Sequence, residues 1–188
     1  MDNVMKKSIL SMLVLTALSG CAATPGGPRE ASVSSLMTAP HLYQGQIDPS
    51  SASGPKKLKV GDSYNQLAVF NLRACNLDET ECKAGKGKLQ SKTTVVGLSK
   101  SEAIVRIDLL LDVGHSQTVQ DEVSTTTYQL QGAGTLMGQY TKSETISLGY
   151  NTNRRFDLPY GVAFNVCVGA GADSAGVEPN ACQGLPLR

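Results

Sequence analysis

The stretch Ala103-Ile104-Val105-Arg106-Ile107-Asp108-Leu109-Leu110-Leu111-Asp112-Val113 alternates with a period of two. Every odd position is apolar, and Arg106, Asp108 and Asp112 sit on even ones. Successive side chains of a β-strand point to opposite faces, so the pattern describes a strand with one face in a core and one in water. Working outward, Ala68, Phe70, Leu72 and Ala74 repeat the alternation. So do Ile146, Leu148 and Tyr150, and again Val162, Phe164, Val166 and Val168. Turn formers separate these runs, among them Asp112-Val113-Gly114-His115 and Asn151-Thr152-Asn153. Seven to nine segments qualify as strands: Lys57–Val60, Gln66–Cys75, Gln90–Leu98, Ala103–Val113, Ser124–Gln131, Thr135–Tyr140, Glu144–Tyr150, Arg154–Leu158 and Val162–Gly169. No window of a dozen residues carries a helical apolar stripe. Short strands at this spacing predict an all-β fold, an antiparallel β-sandwich, with a small β-barrel as the alternative.

Ahead of these strands lies a different kind of sequence. Lys6 and Lys7 form a positive opening, Ile9 to Leu18 an apolar run, and Leu18-Ser19-Gly20-Cys21 closes it. An apolar run of about ten residues is too short for a membrane span, which takes about 20. Its flanks are those of a cleaved export signal. The last four residues resemble the lipobox of bacterial lipoproteins, in which a Leu is followed by two small residues and an invariant Cys. The resemblance implies cleavage between Gly20 and Cys21 and transfer of diacylglycerol to the Cys21 thiol. More than one acyl chain is needed for stable anchoring, and a diacylglyceryl Cys with a third, N-linked acyl group meets that need. Residue 22 is Ala and not Asp. By analogy with Gram-negative sorting, this favours the outer membrane, with the folded part facing the periplasm.

From Ala22 to about Pro55 the chain is rich in Ala, Ser, Pro and Gly, as in Pro25-Gly26-Gly27-Pro28. That composition reads as a flexible linker. Leu36, Met37, Leu42 and Tyr43 interrupt it with apolar groups, expected to form a short partner-docking segment or to pack on their own domain. The expected organisation is a signal peptide over 1–20, the lipidated Cys21 and linker over 21–56, and the sandwich over 57–188. Removing residues 1–20 leaves 15 basic and 15 acidic side chains. A neutral chain with aromatics at 5% and no Trp lacks the basic footprint and stacking surfaces that nucleic-acid binding uses.

Four further cysteines remain: Cys75, Cys82, Cys167 and Cys182. In an exported chain an even set predicts two disulfides. The local pairings Cys75–Cys82 and Cys167–Cys182 are favoured. Cys75 and Cys167 lie on the parity opposite their strands' apolar residues and point away from the core, toward their own following loops. Loop closures of this size contribute about 2.5 and 3 kcal/mol on the chain-entropy model. A Cys75–Cys167 staple is the alternative. The spacing is unlike that of a zinc site, and no metal is expected.

The chemistry-bearing residues are sparse. His115 follows Gly114 in a turn and precedes Ser116, but neighbours in a turn cannot aim at each other as a triad requires. The Gly-x-Ser-x-Gly signature is absent. Asp108 and Asp112 share one strand face, where alternation already accounts for them as wet residues. Gly85-Lys86-Gly87-Lys88 lacks the spacing of a phosphate loop and reads as a solvated basic loop. The acidic run Asp78, Glu79 and Glu81 before it reads as local electrostatics. No catalytic residue and no cofactor is expected beyond the lipid on Cys21. The functional expectation is a non-enzymatic envelope lipoprotein that binds a protein partner, as an accessory to secretion, pilus or conjugation machinery. An apolar-ligand carrier, an enzyme inhibitor and a surface antigen are the alternatives.

Overall fold

The computed structural model describes residues 27–40, 49–120, 123–130, 135–171 and Cys182. Within them the strands are β1 (Ala31–Thr38), β2 (Ser50–Leu58), β3 (Ser63–Cys75), β4 (Cys82–Leu98) and β5 (Glu102–Gly114). Next come β6 (Ser116–Gln120), β7 (Thr125–Gln129), β8 (Gly138–Gly149), β9 (Thr152–Asp157) and β10 (Ala163–Ala170). One sheet has the order β2-β1-β10-β9 and the other β3-β4-β5-β8, while β6 and β7 pair with each other as a separate hairpin. All strand pairs are antiparallel. Apart from the β6–β7 hairpin, inserted between β5 and β8, chain neighbours are spatial neighbours: an up-and-down meander whose last strand returns to its first. Backbone pairing is interrupted between β2 and β3 and between β8 and β9. The result is therefore a sandwich of two sheets and not a closed barrel.

The period-two pattern does the work expected of it. Val105, Ile107, Leu109, Leu111 and Val113 of β5 turn inward and are buried, with Phe70 and Leu72 of β3 beside Leu89 and Val95 of β4. Val33 and Met37 of β1 face them from the first sheet, with Phe156 of β9 and Phe164, Val166 and Val168 of β10. Side chains of this size contribute about 1.5–3 kcal/mol each when fully buried. At the β2–β3 corner Gly61 takes a φ of +94°, a conformation open to Gly without steric cost. Asp62 accepts the Lys59 N–H at 2.9 Å there, fixing the turn.

Polar side chains seal the corner that the backbone leaves open. The Ser35 hydroxyl donates to Gln66 Oε1 at 2.6 Å and lies 2.9 Å from the Ser53 hydroxyl. Gln66 Nε2 donates to the Ser51 carbonyl at 2.7 Å. This bridge ties β1 and β2 to β3 across the gap. At the far end Tyr160, held at a φ of +62°, meets Tyr140 of β8 edge-to-face with the two hydroxyls 2.9 Å apart.

Two sequence expectations require correction. Strand β1 and most of β2 lie in the stretch read as linker, so the sandwich includes chain from Ala31 onward. Of the two expectations for Leu36 and Met37, the structure shows packing on their own domain and not an exposed docking segment: they are 2% and 0% exposed. Strands β1 and β10 are central and buried along almost their whole length, which removes the alternation that marks half-buried strands. The second correction concerns Gly85-Lys86-Gly87-Lys88, which is strand β4 and not a loop. Gly85 and Gly87 point inward, and a Cβ on Gly87 would lie 2.5 Å from Leu72 Cδ1. The glycines leave room for the flanking Leu72, Leu111, Val113 and Leu136 side chains; the lysines between them are the wet face.

Two substitutions test this packing. Met37→Ala is expected to cost about 2–5 kcal/mol in denaturant unfolding, the range for emptying a core site. A docking residue on a flexible segment would move stability by less than about 0.5 kcal/mol. Gly87→Ala is expected to cost about 1–3 kcal/mol through overpacking against Leu72, measured in the same way.

Candidate functional site

The outer face of the second sheet presents its side chains in rows set by strand register. One row runs Asn65, Lys92, Asp108, Ser143 across β3, β4, β5 and β8. The next runs Leu67, Gln90, Leu110, Thr141. These two rows enclose a depression of about 460 Å³, lined by Asn65, Leu67, Gln90, Lys92, Asp108 and Leu110 with the strand backbone as its floor. No residue of the first sheet lines it, which places it on the outside and not in the core. Leu67 and Leu110 supply apolar walls, Asn65 and Gln90 supply amides, and Lys92 and Asp108 supply one charge of each sign. Leu67 is 40% exposed, an apolar side chain available to a partner.

Asp108 is held in place. Ser143, its direct cross-strand partner, donates a hydroxyl to Oδ1, and Arg106 Nε donates to the same oxygen at 3.1 Å. The Ser143 hydrogen bond holds the Asp108 carboxyl below its ordinary value, with Arg106 and Lys92 acting in the same direction against a smaller opposing desolvation. An acid catalyst needs the opposite shift, toward neutrality. This carboxylate is a fixed negative charge at the rim of the depression.

One end of the face is flanked by the β6–β7 hairpin. Gln117 is buried and its amide donates to the carbonyls of Lys86, at 3.3 Å, and Asp112, at 3.1 Å, fixing the hairpin's base to β4 and β5. Lys88 Nζ reaches the Thr118 carbonyl at 3.3 Å. Every residue of β7 is exposed. His115 sits at the hairpin's start, its Nε2 3.5 Å from Gln129 Nε2. Asp112 lies on the sheet's outer face one row beyond the depression, beside Lys88.

Both favoured disulfides are present. Cys75 and Cys82 are cross-strand partners that close the β3–β4 hairpin, and Cys167 bonds Cys182. Cys167 lies on the face of β10 opposite the core, as its parity requires, yet is only 3% exposed. That face of the β1–β10 pair is thus buried as well, and Cys182 is fastened to it. Gly20, Cys21, Leu42 and Tyr43 lie outside the described residues. Among the described residues, no three His, Cys, Asp or Glu side chains gather where they could hold a metal ion.

Sequence reading placed Leu67, Gln90, Lys92, Asp108 and Leu110 on strands, with Asn65 just ahead of one, but did not bring them together. Their assembly depends on register between β3, β4 and β5, which alternation within a strand does not specify. Comparison with protein-family models, with curated proteins and with solved structures finds no match.

Ser143→Ala is expected to raise the Asp108 pKa toward the carboxylate's usual 3.8, read by NMR titration. A depressed folded-state pKa contributes stability that is present above the unfolded value and lost as pH falls through the folded one. The variant is therefore expected to lose stability relative to wild type near neutral pH and to converge with it in strong acid.

Proposed function

We propose that this protein is a non-enzymatic lipoprotein of the bacterial envelope that binds another protein through the outer face of its second sheet. The observation that carries the reading is the depression between Leu67 and Leu110, a slot with apolar walls and amide and charged rims on the sheet's outer face. Such a slot suits an extended segment that inserts one apolar side chain and satisfies its backbone on Asn65 and Gln90. Paired opposite charges on the rim orient a partner more than they add affinity. The anchor half of the reading rests on the Leu18-Ser19-Gly20-Cys21 lipobox. A carrier of apolar ligands needs an internal cavity, whereas here Phe70, Leu72, Leu89, Phe156 and Phe164 occupy the space between the sheets.

The fold changes what an anchor at Cys21 would do. Strand β1 begins at Ala31, so only about ten residues separate the two, a reach of at most about 35 Å even fully extended. The sandwich is then held close to the headgroups.

Two measurements test the halves separately. Mass spectrometry of the envelope-extracted protein is expected to find a mature chain beginning at an acylated Cys21; a chain with a free thiol there overturns the anchor. A photo-cross-linker at position 110 is expected to yield one discrete adduct with another protein in intact cells, lost on Leu67→Glu. A spread of faint products, or an adduct indifferent to Leu67, overturns the binding face.

A further inference from the structure

We infer that β3 is an edge at which a second copy of this chain pairs, antiparallel, about a two-fold axis at Ala68. The four edges of the two sheets are treated differently. Edge β2 carries Gly54-Pro55 and Lys56-Lys57, and its pairing with β1 slips between Val33 and Ser35. Edge β9 has six residues, of which Arg154, Arg155 and Asp157 are charged. Edge β8 bears Lys142 and Glu144, and Lys142 Nζ lies 5.3 Å from the centre of the Phe156 ring, bridging to the first sheet. Proline, charge, brevity and irregular register are the usual means by which an edge is kept from pairing with another chain. Strand β3 has none of them. It runs for 13 residues, its pairing with β4 has no register shift, it contains no Pro or Gly, and its one charge is Arg73 near its end.

The side chains of β3 specify which strand fits there. Its outward residues are Ser63, Asn65, Leu67, Val69, Asn71 and Arg73. About Ala68 this series is close to a palindrome of chemistry. Antiparallel pairing centred there sets Leu67 opposite Val69 of the second copy, Asn65 opposite Asn71 and Ser63 opposite Arg73. Each contact occurs twice, aliphatic meets aliphatic and amide meets amide, and no like charges, the destabilising case, face each other. Centring one residue earlier or later sets Leu67 or Val69 against itself but opposes the other aliphatic residue to Asn. Centring two residues away likewise opposes an aliphatic to Asn. An isologous contact of this kind closes on itself and does not propagate.

The axis is perpendicular to the sheet, so the outer faces of both copies lie on the same side. Leu67 belongs both to the pairing strand and to the depression, so two depressions flank one seam. The inference does not rest on the proposed partner, since it is argued from the edge of β3, although Leu67 serves both the seam and the slot.

The test uses the full chain in detergent solution, with Leu67→Cys and Val69→Cys variants carrying different tags. When the two are mixed and mildly oxidised, the proposed register places the sulfurs directly opposite. The mixed disulfide dimer is expected to exceed either homodimer at least tenfold on non-reducing gels. The double variant Leu67→Lys/Val69→Lys sets lysines opposite each other and is expected to weaken dimerisation at least tenfold by light scattering. Its circular dichroism and both native disulfides should be retained. Equal cross-linking of all combinations, a chain monomeric at about 1 mM (the weak end of the affinity scale), or a double variant that dimerises normally would each overturn the inference. A lost partner adduct at position 110 with an intact dimer would instead count against the binding face alone.

Discussion

Eight residue pairs between Ala31–Thr38 and Ala163–Ala170 hold the rest of this structure together. They join the first and last strands of the meander and place both at the centre of their sheet. Without this ladder β1–β2 and β9–β10 are two separate hairpins, and an isolated hairpin is marginal at best in water. With it they form one face able to cover the apolar side of β3, β4, β5 and β8. The pairing spans almost the whole described chain, so its loop-closure entropy must be met before the contact returns any stability. Folding about such a contact is expected to be slow relative to the local hairpins of the second sheet.

An up-and-down meander whose ends meet has the connectivity of a barrel, yet this one is a sandwich. The reason lies at the two corners. Between β2 and β3 the bridge is made by Ser35, Ser53 and Gln66 with the Ser51 carbonyl, and not by a backbone ladder. A buried amide is costly without partners, so Gln66 fixes the sheets at the separation that satisfies both ends of its side chain. Ser91 and Thr93 turn inward on the neighbouring strand, and their hydroxyls have no partner. That cost falls in the same region where polar groups outnumber aliphatic ones. Between β8 and β9 the corner carries Lys142 across the Phe156 ring instead. The sheets therefore meet through side chains at both corners and remain free to pack flat.

The half-buried strands were legible in the sequence because water on one face and core on the other leave a period of two. Strand β5 is the clearest case; β8 was read as two segments, because Lys142 and Glu144 take core-side positions and break the alternation. Strand β1 was not legible because its sequence, Ala31-Ser32-Val33-Ser34-Ser35-Leu36-Met37-Thr38, is buried on both faces and carries serines on each, Ser32 and Ser34 on one and Ser35 on the other. Composition there matches a linker, and only the distant β10 makes it a strand. Strand β4 was shortened in the reading because Gly85 and Gly87 look like loop residues, when their missing side chains are what the opposing Leu72 requires. The disulfides were legible because parity fixed which side of each strand its cysteine faced. The depression was not, because it is a property of register across three strands.

The placement of stability has a consequence for binding. The described core and both disulfides stiffen the scaffold, so the outer face of β3, β4 and β5 is pre-organised and little entropy is lost on its side when a partner binds. A single shallow slot of this size offers limited area, and small contacts of that kind are weak on their own. Two slots facing the same way across the proposed β3 seam would change the arithmetic. The second engagement becomes intramolecular, and its effective concentration is set by the rigid spacing of the two copies. Confinement near a membrane by a tether of about ten residues, under the proposed anchor, acts in the same direction by restricting both copies to a thin layer. A weak site, an unprotected edge and a short tether are each poor binding devices alone. Under the proposed anchor, partner and seam they would together describe a protein whose affinity is assembled at a surface.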